Sequence, residues 1–245
     1  MINWSAIDPH SAAGRLVRLP GRLLPKSAVM RIRRGPARGM RWIAGSATHG
    51  CWLGTYEIAK RVLVERLVRP GMTVYDVGAQ AGFYTLTFSR LVGEAGRVIA
   101  FEPCFRALPY LLEHIRLNKL TNVQVVQAAV GGTPGLGGFS DGLGRCQNRL
   151  IDNGADLLVP VLSLDTAGLP PPDLIKMDIE GGESQALKGA RNFLSAHRPI
   201  ILIALHGPEH RMFCPSFMTS LGYRVFDLSG GPIDEAAADE IYALP

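Results

Sequence analysis

Apolar and polar positions along this chain follow two rhythms. Short β-type apolar runs occur at residues 74–77, 97–101, 123–130, 174–179 and 199–205. Between them, apolar residues recur at helical spacing: Ile58, Val62, Leu63 and Leu67; Tyr84, Leu86, Phe88 and Leu91; Leu111, Leu112 and Ile115; Ala186, Leu187, Ala190 and Leu194. Residues 213–221 read as a further helix, and 223–227 with 240–243 as a closing pair of strands. Strands alternating with helices predict a mostly parallel α/β sheet with ligands beyond the strand C-terminal ends. Asp76, Glu102, Asp178 and His206 all stand at such ends.

The flanking segments are less regular. Residues 28–33 and 40–44 alternate around the turn Gly35-Pro36-Ala37-Arg38-Gly39, which predicts a β-hairpin. Thr55 is the expected N-cap of the helix that ends before Pro70-Gly71. That helix would lie over the first strand end and bring Tyr56 and Glu57 to a ligand. Residues 159–164 form a short extra strand, and glycine-rich 131–144, with Ser140 and Asp141, reads as a mobile loop or lid.

The stretch Asp76-Val77-Gly78-Ala79-Gln80-Ala81-Gly82-Phe83 is a strand, a glycine turn and a helix start. Glycine tolerates positive φ and leaves room for close approach, and a helix start offers unpaired N–H groups. Glu102, about twenty residues on, ends the next strand, where a carboxylate would hold a ribose diol. Dinucleotide turns carry G-x-G-x-x-G, whereas here Asp76 precedes Gly78-x-x-x-Gly82. An acid at a phosphate cradle would repel phosphate but suits a cationic nucleoside. S-adenosylmethionine, with its sulfonium, ammonium and ribose, fits that description.

Composition changes the picture little, and charge changes it more. The 245 residues, 47% apolar, suit one α/β domain plus an extension. No apolar run approaches the roughly 18 residues of a spanning helix, and the N-terminus has no apolar signal core. Cys51, Cys104, Cys146 and Cys214 stand far apart, as reduced thiols of a cytoplasmic protein would. The net charge of +5 divides into +10 over residues 1–70 (thirteen Lys/Arg, three Asp/Glu) and −5 over the rest (thirteen and eighteen). The basic part is either a patch for an acidic substrate, membrane or nucleic acid, or an arm that docks on the acidic domain. Absence of interleaved aromatic rings speaks against nucleic acid. The expected division is a basic arm with hairpin at 1–47 and a catalytic domain at 48–245.

The segments Asp76–Thr85, Arg97–Pro103, Asn118 with Val123, Leu164-Asp165 and Asp173–Glu183 together resemble the FkbM family of class I methyltransferases, over about residues 52 to 206. The resemblance implies a Rossmann-like, seven-stranded, mostly parallel sheet with helices on both faces, S-adenosylmethionine, and O-methylation of a sugar or natural product. Gln80 stands where Asn is common, and Ala204 where members carry an acid.

Methyl transfer to an alcohol needs alignment and a base. The expected cofactor residues are Tyr56, Glu57, Asp76, Gly78, Ala79, Gln80, Gly82 and Phe83 toward the methionine part. Glu102 and Pro103 are expected at the ribose, Ala128 and Ala129 at the adenine edge, and Asp178 near the methyl group. His206 is the expected general base, with an ordinary pKa near 6.5, and Glu180 orients it or binds substrate hydroxyls. Glu180 could instead cap the helix begun by Gly181-Gly182. Asp178, Glu180 and His206 are also types that hold a divalent metal, though nothing in their spacing demands one, and no metal is expected. His10, His49, His114, His197 and His210 read as surface or loop residues. The expected partner is a small hydroxylated acceptor: a glycoside, nucleotide sugar or polyketide. An RNA-directed methyltransferase and a non-catalytic cofactor-binding assembly protein are the alternatives, and a homodimer stays open.

Overall fold

The computed structural model describes residues 24–140, 149–150, 155, 157–234 and 238–245. Expectations that fall on the arm before Leu24, on His10, Asp141 and Cys146 lie outside the described residues.

A hairpin of β1 (Val29–Arg31) and β2 (Arg41–Ile43) comes first, then α1 (Gly50–Leu53) and α2 (Ile58–Leu67). The central units are β3 (Thr73–Val77), α3 (Phe83–Val92), β4 (Arg97–Phe101), α4 (Leu108–Leu117) and β5 (Val123–Val126). After an excursion through β6 (Ala129–Val130), β7 (Gly135–Ser140), β8 (Arg149–Leu150) and β9 (Leu157–Leu162), the chain returns as β10 (Leu174–Met177). It ends with α5 (Glu183–Lys188), α6 (Arg191–His197), β11 (Ile200–Ala204), α7 (Pro208–Ser220), β12 (Arg224–Asp227) and β13 (Glu240–Leu244).

The main sheet has seven strands in the order β12-β13-β11-β10-β3-β4-β5. All its pairings are parallel except those of β13 with β11 and β12. Successive strand residues face opposite sides, and both sides are covered. Val74, Val98, Leu174 and Leu202 pack with Trp42, Leu63, Val64, Leu86 and Phe88. Tyr75, Ile99, Ile175, Ile201 and Ile203 pack with Ala186, Leu187, Leu194, Cys214 and Met218 on the other side. Strand order reverses between β3 and β10, which opens a crevice at their C-terminal ends.

The turn after β3 is tied down from several sides. Gly78 and Ala79 both donate their N–H groups to the Phe101 carbonyl, at 3.0 Å each. His114 on α4, fully buried, hydrogen-bonds the Ala81 carbonyl through Nδ1 at 2.7 Å and accepts the Ile43 N–H on Nε2 at 2.9 Å. Those two bonds define a neutral ring, and burial holds its pKa below the ordinary value. The same ring stacks on Trp42, with centroids 4.0 Å apart. A histidine expected at the surface therefore joins the hairpin to the turn.

Several local expectations change. Helix α2 starts at Ile58 with Glu57 in the N-cap position at φ 41°, so Thr55 does not cap it. The expected third strand divides at Gln127-Ala128: β5 stays in the main sheet and β6 pairs with β9 in a second one. That second sheet has the order β6-β9-β7-β8. Residues 135–140 of the expected mobile loop form its strand β7, antiparallel to β9, because Phe139 and Val159 find a shared core there. Gly182, not Glu180, takes the N-cap position of α5, without a side-chain cap. Helix α7 begins at Pro208, earlier than residue 213, and buries His210. Cys51, Cys104 and Cys214 are buried.

Gly78 has φ +79°, and an added Cβ would lie 1.9 Å from the Asp178 carbonyl oxygen. Gly82 has φ +93°, but its Cβ would meet the flexible end of Leu111 at 2.6 Å. Both glycines thus answer to packing within the chain. Gly78→Ala is expected to cost roughly 3 kcal/mol or more, since strain and a backbone clash add. Gly82→Ala should cost less, because a side-chain methyl can shift. Thermal unfolding of the two variants checks the order.

Candidate active site

The crevice between β3 and β10 holds a cavity of about 310 Å³, within the range of small-molecule sites. Its floor is the turn Gly78-Ala79-Gln80, its far wall is Glu102 and Pro103, and Ala128, Ala129, Phe139 and Leu150 close one side. Trp42, Cys51, Tyr56 and Phe83 form the opposite, apolar wall.

Ten expected cofactor residues border this cavity: Tyr56, Gly78, Ala79, Gln80, Phe83, Glu102, Pro103, Ala128, Ala129 and Asp178. Glu57, Asp76 and Gly82 do not. Glu57 lines a shallow hollow nearby with Thr48 and Tyr56. Asp76 is fully buried beneath the turn, where Thr85 on α3 donates to it at 2.6 Å. Lys176, its register partner on β10, lies 3.2 Å away. Side chains directly opposite on adjacent strands meet, so this pairing follows from register alone. It also spends the Asp76 charge inside the protein, so the acid no longer argues against a phosphate ligand.

Glu102 is nearly buried and accepts two backbone bonds. Gln80 donates to Oε2 at 2.6 Å and Cys104 to Oε1 at 2.7 Å. Gln80 sits at φ 51°, a left-handed conformation that aims its N–H at Glu102. Burial raises the carboxyl to about 7 against the opposing pull of those two bonds. Each oxygen keeps acceptor capacity for a ligand hydroxyl.

At the tips of β10 and β11, Asp178, Glu180 and His206 converge, one ligand-type atom from each lying within 4.8 Å of the others. His206 Nε2 lies 3.7 Å from Asp178 Oδ1 and 3.5 Å from Glu180 Oε2. His206 Nδ1 is 2.8 Å from Glu183 Oε1. The orienting carboxylate is therefore Glu183, fully buried at the start of α5, and not Glu180. The Glu183 bond, against burial, raises the His206 pKa to about 8. Burial raises Glu180 above its ordinary value despite His206.

Sequence reasoning missed a buried ammonium. Lys60 on α2 is 2% exposed and meets Glu57 at 2.8 Å, Asp178 at 3.4 Å and Glu240 at the start of β13. Its Nζ also stands 5.5 Å from the Tyr84 ring centroid, and Lys176 stands 5.6 Å from the same ring. Burial pulls the Lys60 pKa down, but its carboxylates more than offset this and raise it. Burial pushes Asp178 up, yet Lys176 and Lys60 outweigh it and keep the carboxyl below its ordinary range. Two lysines thus keep Asp178 charged at the cavity wall.

The family model "Methyltransferase FkbM domain" matches residues 76–225. The chain belongs to the FkbM methyltransferase family. Its cofactor is S-adenosylmethionine. A solved FkbM methyltransferase from Methylobacillus flagellatus is similar in fold, with a TM-score of 0.53 and 21% identity over 77% of this chain and 51% of that one. The ribosomal RNA large subunit methyltransferase E of Alkalilimnicola ehrlichii is 34% identical over 109 residues, 42% of this chain and 51% of that protein. The protein of the same name from Pseudomonas aeruginosa is 41% identical over 48 residues, 20% and 23% of the respective chains. This FkbM chain thus spans from 23% to 51% of the length of those curated relatives. The residues present fit the cofactor: Glu102 borders the cavity with acceptor capacity to spare, and Asp178 keeps a negative charge at its wall, suited to a cation. Among the described residues, no helix is long and apolar enough to cross a membrane.

Lys60→Met would take the shared ammonium from Glu57, Asp178 and Glu240, leaving Lys176 as the only lysine to act on Asp178. Removing one partner of a buried ionic cluster costs roughly 3–5 kcal/mol. Denaturant unfolding should show a loss of that order, and adding Glu240→Leu should recover part of it.

Proposed function

We propose that this methyltransferase acts on a hydroxyl of a small acceptor, a sugar or natural product, with His206 as general base. The observation that carries the reading is His206 itself. Its Nδ1 is anchored on buried Glu183 at 2.8 Å, which leaves Nε2 facing Asp178 and Glu180 at the strand tips. A hydroxyl resting against those carboxylates can pass its proton to Nε2.

S-adenosylmethionine, when bound, supplies a methyl group on a positive sulfur. Glu102, its geometry fixed by Gln80 and Cys104, would accept the ribose hydroxyls. Asp178 would offer its charge to the sulfonium, and Ala128, Ala129 and Phe139, which border the same cavity, would hold the adenine. The apolar wall of Trp42, Tyr56 and Phe83 excludes water and packs the acceptor. The relatives named for ribosomal RNA match only part of this chain, and Trp42 and Trp52 are buried rather than displayed for base stacking. The small hydroxylated acceptor is therefore preferred.

A screen of glycosides, nucleotide sugars and polyketides with isotopically labelled methyl donor supplies the acceptor for two tests. His206→Ala should leave cofactor affinity unchanged and lower kcat by about 10²-fold or more. In the wild type, kcat should rise with pH through about 8, as His206 loses its proton and gains the free pair a base needs. Glu183→Gln should move that midpoint down toward about 6.5. Unaltered turnover in His206→Ala removes the base assignment.

Glu102 gives the second test. Its ionised form is the better acceptor, and its carboxyl titrates near 7. Calorimetric affinity for S-adenosylmethionine should therefore weaken as pH falls from 8 to 6. Glu102→Ala should weaken binding at every pH and abolish that dependence.

A further inference from the structure

The hairpin presents two different faces. Its register pairs Val29 with Ile43 and Arg31 with Arg41, and between them Met30 with Trp42. Alternation sends Met30 and Trp42 inward, where Trp42 is fully buried against His114 and borders the active-site cavity. Val29, Arg31 and Arg41 point outward and are exposed, Val29 at 51%. Lys26, Arg33 and Arg38 are exposed as well.

No Asp or Glu occurs between residues 24 and 56. Among the described residues, Lys26, Arg31, Arg33, Arg38 and Arg41 form no ion pair with a carboxylate. Arg31 donates to the Gly39 carbonyl, and Arg33 lies 6.0 Å over Trp52. Among the described residues, then, no carboxylate neutralises the charge of this face, as a docked arm would have it.

We propose that the outer face of the hairpin docks this enzyme on an anionic lipid surface. Two observations select lipid. The cations meet the negative headgroups, and each Lys or Arg near such a surface strengthens binding about fivefold. The exposed Val29 lies among them, and in sequence the preceding stretch Arg15-Leu16-Val17-Arg18-Leu19 repeats the mixture of basic and apolar residues. A headgroup–acyl boundary takes up both kinds of side chain, whereas a phosphodiester backbone takes up only the charges. Because Trp42 lines the cavity from the strand that carries Arg41 outward, docking holds the catalytic cavity beside the headgroups. The acceptor hydroxyl then belongs to a lipid-linked molecule. This last step rests on the hydroxyl-acceptor reading, while the docking surface stands apart from it.

The full chain is sedimented with vesicles of phosphatidylcholine alone and of phosphatidylcholine with phosphatidylglycerol. Binding is expected only to the anionic vesicles and should weaken with salt. Arg31→Ala with Arg41→Ala should weaken it about 30-fold, with affinity for S-adenosylmethionine unchanged as the check on folding. Val29→Ser should weaken vesicle binding several-fold and leave binding to a ribosomal RNA fragment as it was. Failure to bind anionic vesicles, wild-type binding by the arginine variant, or tighter binding to the RNA fragment than to vesicles overturns the proposal. If vesicle binding fails while glycosides are still methylated, only the docking surface falls.

Discussion

Negative charge gathered at the ends of two adjacent strands must be balanced where water cannot reach, and two buried lysines do it. Lys176 lies beside Asp76 by register and donates to the Gly78 carbonyl at 2.9 Å. Lys60 reaches the outer side of the same region and meets Asp178, Glu57 and Glu240. Without them, Asp76 and Asp178 would carry uncompensated charge in a low dielectric, which is costly. With them, Asp178 stays ionised at the cavity wall. The turn between β3 and α3 is also held from below, so its N–H groups and the Glu102 carboxylate keep a fixed relation.

Backbone strain collects around this same region. Gln80, Glu180 and Glu57 all have positive φ although none is glycine. Such conformations cost of order 1–3 kcal/mol each and persist where surroundings enforce them. At Gln80 the return is visible, because its N–H reaches Glu102. At Glu180 the unusual backbone lies between Asp178 and the helix that carries Glu183, and it lets all three acids approach one imidazole.

Much of this architecture was legible in the sequence because it depends on local pattern. Apolar runs with carboxylates at their ends gave β3, β4 and β10, and Glu102 stands where a strand end puts it. The hairpin could be read from its turn residues. What escaped depends on contacts between distant parts of the chain. Lys60 is 118 residues from Asp178, and nothing in an amphipathic helix marks one lysine as buried. In the sequence Glu183 is only the last residue of a motif, because its bond to His206 needs the packing of α5 beside β11. The second sheet was hidden by glycines at 135, 137 and 138, whose sequence reads as loop while Phe139 and Val159 supply a core. Gly78 borders the cavity as expected, and it also yields space to the Asp178 carbonyl, a second partner that only the pairing of β3 with β10 reveals.

His114 gives the fold one more property. A single neutral ring spans Ile43 in the hairpin and Ala81 in the glycine turn. The two segments therefore cannot shift independently, and whatever steadies one must, by reciprocity, steady the other. An outside load on the N-terminal ribbon and the occupancy of the nucleoside pocket become two ends of one strut, with an imidazole as its pin.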